Sequence, residues 1–239
     1  MSEMRGEFSE HLARLRESIL RIGTVADRML DDAIKAVTDH SPDLTSSVIR
    51  RDDEADAIDA DVEREAVLLI ALQQPVASDL RVITVSLKAV NEMERIGDYA
   101  VDIAKIGRRI ARRTSYNAIV DIARLAACVR GMLRDVLRAF VTGDTDLLLK
   151  VIQTDDVADD LYHQYRDYLI ETMERQSSVV FQAANMLLAC KYLERVGDHV
   201  VNVAEDFYYM HTGEFLFSEK KRKWQQASQT TTGPSAPSS

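Results

Sequence analysis

Apolar residues recur at intervals of three and four along nearly the whole chain, the period of a helix with one buried face. Leu87, Val90, Val101 and Ala104 form one such seam, and Leu187, Cys190, Val201 and Ala204 form another. No stretch alternates apolar and polar residues between hairpin glycines, as a half-buried strand would. In the first 230 residues the only prolines are Pro42 and Pro75, both at breaks in the pattern, where they do not disturb a helix interior. The pattern predicts six long helices, at 8–39, 43–73, 76–112, 115–142, 144–175 and 178–212. Asp43 and Asp144 are expected to start the second and the fifth. Connections this short force antiparallel neighbours. The expected fold class is all-α, a tandem duplication of an antiparallel three-helix bundle.

The duplication is written in the residues. Residues 94–104 read ERIGDYAVDIA and residues 194–204 read ERVGDHVVNVA, with six of eleven positions identical. Upstream the match continues at an offset of 103: Asp52-Asp53-x-Ala55-Asp56 against Asp155-Asp156-x-Ala158-Asp159. The offset falls to 100 after Gln73-Gln74-Pro75, an indel at an expected turn, where a duplication tolerates one. A period near 100 is too long for a solenoid. The expected domains are 1–112 and 113–217, with a disordered tail over 218–239 that has little to bury and carries a basic run at 220–223.

Within this frame the acids form a constellation. Glu94 falls in an apolar seam, Asp98 stands one turn on, and Asp102 another. Glu194 and Asp198 repeat the arrangement, with Asn202 in place of the third acid. Asp52 and Asp56 on the preceding helix, and Asp155 and Asp159 on its counterpart, supply a second pair in each half. Buried carboxylates are costly unless protonated, paired or bound to a cation. Two of them one turn apart repel each other and favour a cation between them. Oxygen-only ligands suit Mg²⁺, Mn²⁺, Ca²⁺ or iron. Gly97 and Gly197 cost the helices about 1 kcal/mol each relative to alanine, so their recurrence predicts that another backbone or a ligand comes close there. Arg95 and Arg195 are placed for local pairs with Asp98 and Asp198.

Composition narrows the function classes. A net charge of −9 argues against nucleic acid as the main partner. Cys128 and Cys190 have no CxxC spacing and read as core residues. The N-terminus lacks the basic and apolar regions of a signal peptide, and the most apolar stretch, 179–190, is too short to span a bilayer. There is no glycine-rich phosphate loop and no repeated nucleophile–base pair. Two alternatives stay open beside a metal-binding regulator. One is a carboxylate-bridged dimetal enzyme, whose nearest E-x-x-H match, Asp160-x-x-His163, is not repeated. The other is a metal-free structural bundle.

The segments LQQPVASDLR at 72–81, ERIGDYAVDIA, ERVGDHVVNVA and the paired DD-x-AD signatures resemble the PhoU family over roughly residues 8–215. The resemblance implies a non-enzymatic, cytoplasmic negative regulator of phosphate uptake and of phosphate-starvation two-component signalling. Its implied partners are the ATPase subunit of the phosphate ABC transporter, the sensor histidine kinase and a second copy of the chain, with membrane association only through partners. It also implies divalent or trivalent metal ions (Fe, Mn, Mg or Zn) held by E(D)xxxD motifs. The matching positions are Glu94/Asp98, Glu194/Asp198, Asp52/Asp56 and Asp155/Asp159. Asn202, opposite Asp102, departs from full symmetry and implies that the two clusters differ.

Overall fold

The structure is a computed structural model and describes residues 2–113 and 119–216. Among them are six long helices: α1 (Ser2–Thr38), α2 (Pro42–Gln73), α3 (Ala77–Ala111), α4 (Ile122–Thr142), α5 (Thr145–Arg175) and α6 (Val180–Thr212). The expected tail lies outside the described residues.

Helix α1 starts at Ser2, six residues before the expected 8, and two further starts depart from expectation. Asp144 caps α5, its carboxylate accepting a hydrogen bond from the Leu147 N–H at 3.0 Å. Asp43 does not cap α2. Pro42 already occupies the first turn, where a proline loses no hydrogen bond, and Ser41 takes the cap position. Helix α4 begins at Ile122 rather than near 115, because Asp121 accepts from the Arg124 N–H at 3.2 Å and fixes the start there. The indel falls between the second and third helices of each half. Gln74 turns the chain in the left-handed region in the first half, and a 3₁₀ turn, Ser177–Val179, does so in the second.

Helix α1 packs on α2 and α3, and α4 packs on α5 and α6, giving the two bundles; α3 against α6 and α1 against α4 join them. One hydrophobic cluster runs through both, from Leu15 to Phe207. Helices α3 and α6 are central and bury long stripes, whereas α2 and α5 bury one narrow stripe each. Close approach differs between the halves. A Cβ on Gly107 would stand 2.6 Å from the Ala36 backbone, so glycine lets α3 lie directly on α1. At the equivalent position of α6 stands Phe207, packed on Phe140 with ring centroids 4.5 Å apart.

Polar links also cross the junction. Arg130 on α4 bonds Asp27 of α1 at 2.8 Å and also reaches Asp31. Glu92 on α3 accepts from Asn202 on α6 at 2.9 Å and meets His199 at 2.6 Å. Among the described residues no helix is long and apolar enough to cross a membrane.

Candidate metal-binding grooves

The repeated glycines mark where the second and third helices of each bundle meet. A Cβ on Gly97 would lie 3.7 Å from Asp52 Oδ1, and one on Gly197 would lie 2.9 Å from Asp155 Oδ1. At Gly197 what approaches is thus a carboxylate of the neighbouring helix, whereas at Gly97 the nearest atoms are the Met29 Cε and Sδ of α1, at 3.3 and 3.5 Å. The missing Cβ of Gly197 makes the cradle into which Asp155 leans. Asp155 is 6% exposed; Asp52 is half-buried.

The two helices run antiparallel, so each turn forward on α2 is a turn back on α3. Asp52 faces Gly97, Asp56 faces Glu94, and the next turn brings Asp59 toward the level of Asn91. The carboxyl shifts of Glu94 and Asp52 are in keeping with this register. Burial raises the Glu94 carboxyl above its ordinary value, and the charges of Asp98, Asp56 and Asp59 raise it further, against the lowering effect of Arg95. Asp52 is raised by burial and then by Asp56, Asp98 and Asp53, with Lys105 opposing. Asp59 is raised by burial, Glu63 and Asp56. Along this seam Asp52, Asp59, Glu94 and Asp98 are half-buried and Asp56 is exposed. Its nearest cation, Arg95, lies at the rim, 3.2 Å from Asp98 and 3.7 Å from Glu94, and is 56% exposed.

Asp59 is absent from the expected ligand set because its counterpart at an offset of 103 is Tyr162. A search for acids repeated in both halves discards it.

Asp102 and Asn202 do not join these grooves. Each i+4 step turns about 40° around the helix axis, so two steps from Glu94 turn Asp102 by about 80°. That rotation carries it to the α6 side, where its charge acts on the Tyr192 phenol and Lys105 pairs with it at 3.3 Å. Asn202 likewise faces α3 and donates to Glu92. The asymmetry read at 102 and 202 belongs to the junction between the bundles. Asp159 and Asp198 are half-buried and Arg195 is exposed. Asp160 and His163 are both exposed on α5, so this E-x-x-H-like pair points away from the core.

In the second groove Glu194, 12% exposed, is held by Lys191 at 2.6 Å. The Lys191 ammonium also lies 5.1 Å from the centre of the Tyr162 ring, within cation–π range.

Both grooves offer oxygen donors, and in the second one of them, Asp155 Oδ1, stands in the space that a Cβ on Gly197 would fill. As the side chains stand, no three His, Cys, Asp or Glu groups among the described residues converge on one point. In the first groove neighbouring carboxylates raise one another, and a cation between them would relieve that repulsion. The donors of both grooves are oxygens, the kind that suits a hard cation; Arg95 pairs with Glu94 and Asp98 in the first groove, and Lys191 with Glu194 in the second.

Comparison with known proteins places these observations. The model of the PhoU domain matches residues 19–107 and 122–207, one match per half. A relative from Clostridium acetobutylicum, named as a phosphate-specific transport system accessory protein PhoU homolog, is 35% identical over 208 residues, spanning 87% of this chain and 95% of the relative. The crystal structure of PhoU from Pseudomonas aeruginosa superposes with a TM-score of 0.83 at 31% identity, covering 87% of this chain and 100% of that one. A phosphate transport system regulatory protein PhoU from Streptococcus pneumoniae shares the fold, with a TM-score of 0.80 at 24% identity, covering 88% and 99%.

Proposed function

Because the chain belongs to the PhoU family, we propose that it is a cytoplasmic negative regulator of phosphate uptake and of phosphate-starvation two-component signalling. In this reading it works without catalysis. It docks on the ATPase subunit of the phosphate ABC transporter and on the sensor histidine kinase, as a homodimer, and reaches the membrane only through them. The observation that carries the reading is the family match in both halves, with relatives named as accessory proteins of phosphate transport.

The acidic grooves are assigned to metal binding. Asp52, Asp56, Glu94 and Asp98 would hold the ion in the first bundle. A bound divalent or trivalent cation supplies positive charge between two helices that otherwise present like charges to each other. The chain's part is to keep the carboxylates on facing turns. Metal loading would stiffen the α2–α3 pair and fix the surface offered to partners.

Deleting the gene should switch on a phosphate-starvation reporter in phosphate-rich medium, and restoring the chain should silence it. Affinity capture of the tagged chain from the same cells should recover the transporter ATPase or the kinase. A reporter that stays silent in the deletion strain, with neither partner captured, would overturn this reading.

A further inference from the structure

The last two turns of α2 are apolar around the whole helix: residues 66–72 read AVLLIAL. Of this run only Ala66 and Leu69 are buried in the core. Val67, Leu68, Ile70 and Leu72 are 58%, 53%, 40% and 73% exposed, and Val76 and Leu80 continue the patch across the turn into α3 at 67% and 39%. A helix end that is apolar on every side is ordinarily a buried one. The duplication supplies the comparison. At the same level of α5, residues 169–175 read LIETMER. Glu171 and Arg175, which stand where α2 has Leu68 and Leu72, form an exposed i,i+4 ion pair. One half carries a solvated surface where the other carries leucines.

Beside Leu68 and Leu72 a cavity of about 420 Å³ opens between α1 and α2. Charges of both signs rim it: Glu65 accepts from Arg14 at 3.0 Å, and Asp61 accepts from Arg64 at 2.8 Å. We propose that this end of the first bundle is the face on which two copies of the chain meet about a twofold axis, each copy's α2 end covering the other's. This rests on the homodimer proposed above and assigns its interface. Each copy carries a net charge of −9, so two copies repel one another at long range. At this rim two guanidinium groups balance two carboxylates around an uncharged centre, so here copies approach without that penalty. A lipid surface or a nucleic acid would ask for a cationic face instead. The area agrees. The six exposed aliphatic side chains present on the order of 500 Å², and a standard interface takes about 800 Å² from each partner, a little over half of it apolar.

The test is sedimentation velocity of the full-length chain over a range of concentrations, with helicity checked by circular dichroism. The wild type should sediment as a dimer. Leu68→Glu/Leu72→Arg, which copies the second half's ion pair onto exposed positions, should raise the dissociation constant of that dimer by roughly a hundredfold or more, since each leucine buried in the contact is worth about tenfold or more. Ile170→Glu, at the α5 position that matches Val67, should leave it unchanged within twofold. If the double variant does not fold, Leu72→Gln alone decides, with a rise of about tenfold expected. A dimer of unchanged affinity in the α2 variants, or equal weakening by Ile170→Glu, would overturn this face and leave the homodimer standing. A monomeric wild type would overturn both.

Discussion

Substituting alanine at the two repeated glycines should give different results, and the difference tests why the phrase is repeated. Alanine gains a helix interior about 1 kcal/mol over glycine. At Gly97 the new Cβ meets the Met29 Cε at 3.3 Å and Sδ at 3.5 Å, with Asp52 Oδ1 at 3.7 Å. The end of a methionine yields readily, so Gly97→Ala should fall between neutral and about 1 kcal/mol more stable than wild type. At Gly197 the Cβ stands 2.9 Å from Asp155 Oδ1. Asp155 is short and nearly fully buried, so it has little room to retreat. Overpacking of this kind costs about 1–3 kcal/mol, leaving Gly197→Ala up to about 2 kcal/mol less stable than wild type after the helix gain. Urea unfolding followed by circular dichroism, in chelator, reads both. A double-mutant cycle with Asp155→Ala isolates the contact and should show a coupling of about 1 kcal/mol or more. The corresponding cycle of Gly97→Ala with Asp52→Ala should be near zero. Gly197→Ala at least as stable as Gly97→Ala, or no coupling at 155/197, would refute the cradle.

Three further outcomes follow from the same coordinates. Asp52, Asp59 and Glu94 are raised in the folded state. Their stabilising contribution is therefore fully present below the unfolded carboxylate range, near pH 4, and is lost as pH rises through the folded values. In chelator, Asp52→Asn/Asp59→Asn should lose less stability than wild type as pH rises from about 4; parallel losses in urea titrations would contradict this. Gly107→Ala drives a Cβ to 2.6 Å from the Ala36 backbone, whereas Gly131→Ala meets nothing within 4 Å. Thermal melts should therefore show the first destabilised by about 1 kcal/mol or more and the second gaining up to about 1 kcal/mol, and equal shifts would refute the close approach of α3 to α1. Glu92→Ala removes the acceptor shared by His199 and Asn202 and should cost about 1–2 kcal/mol; an unchanged melting temperature would show that this link between the bundles carries no stability.

Much of this molecule is legible in its residues because helical periodicity and duplication are both long-range signals. The seams from Leu87 to Ala104 and from Leu187 to Ala204 gave α3 and α6 almost to their ends. Helix starts were harder, because a cap is one local competition among neighbours: Ser41 with Pro42 displaced Asp43, and Asp121 overrode apolar continuity toward 115. The pairing of Asp52 with Gly97 and of Asp155 with Gly197 could be anticipated from the repeat, because both phrases recur in register. Symmetry misled at two places. It retained Asp102 and Asn202, although the drift of about 40° per i+4 step turns them to the junction. It also passed over Asp59 and Lys191, because neither has a like counterpart. Only the antiparallel pairing of α2 with α3 and of α5 with α6 reveals that 59 with 91, and 162 with 191, form one rung.

Anomalous diffraction from crystals of the wild-type chain loaded with Mn²⁺ tests the central claim most directly. The account predicts a peak between α2 and α3, beside Asp52, Asp56, Glu94 and Asp98. No peak between α2 and α3 would contradict it.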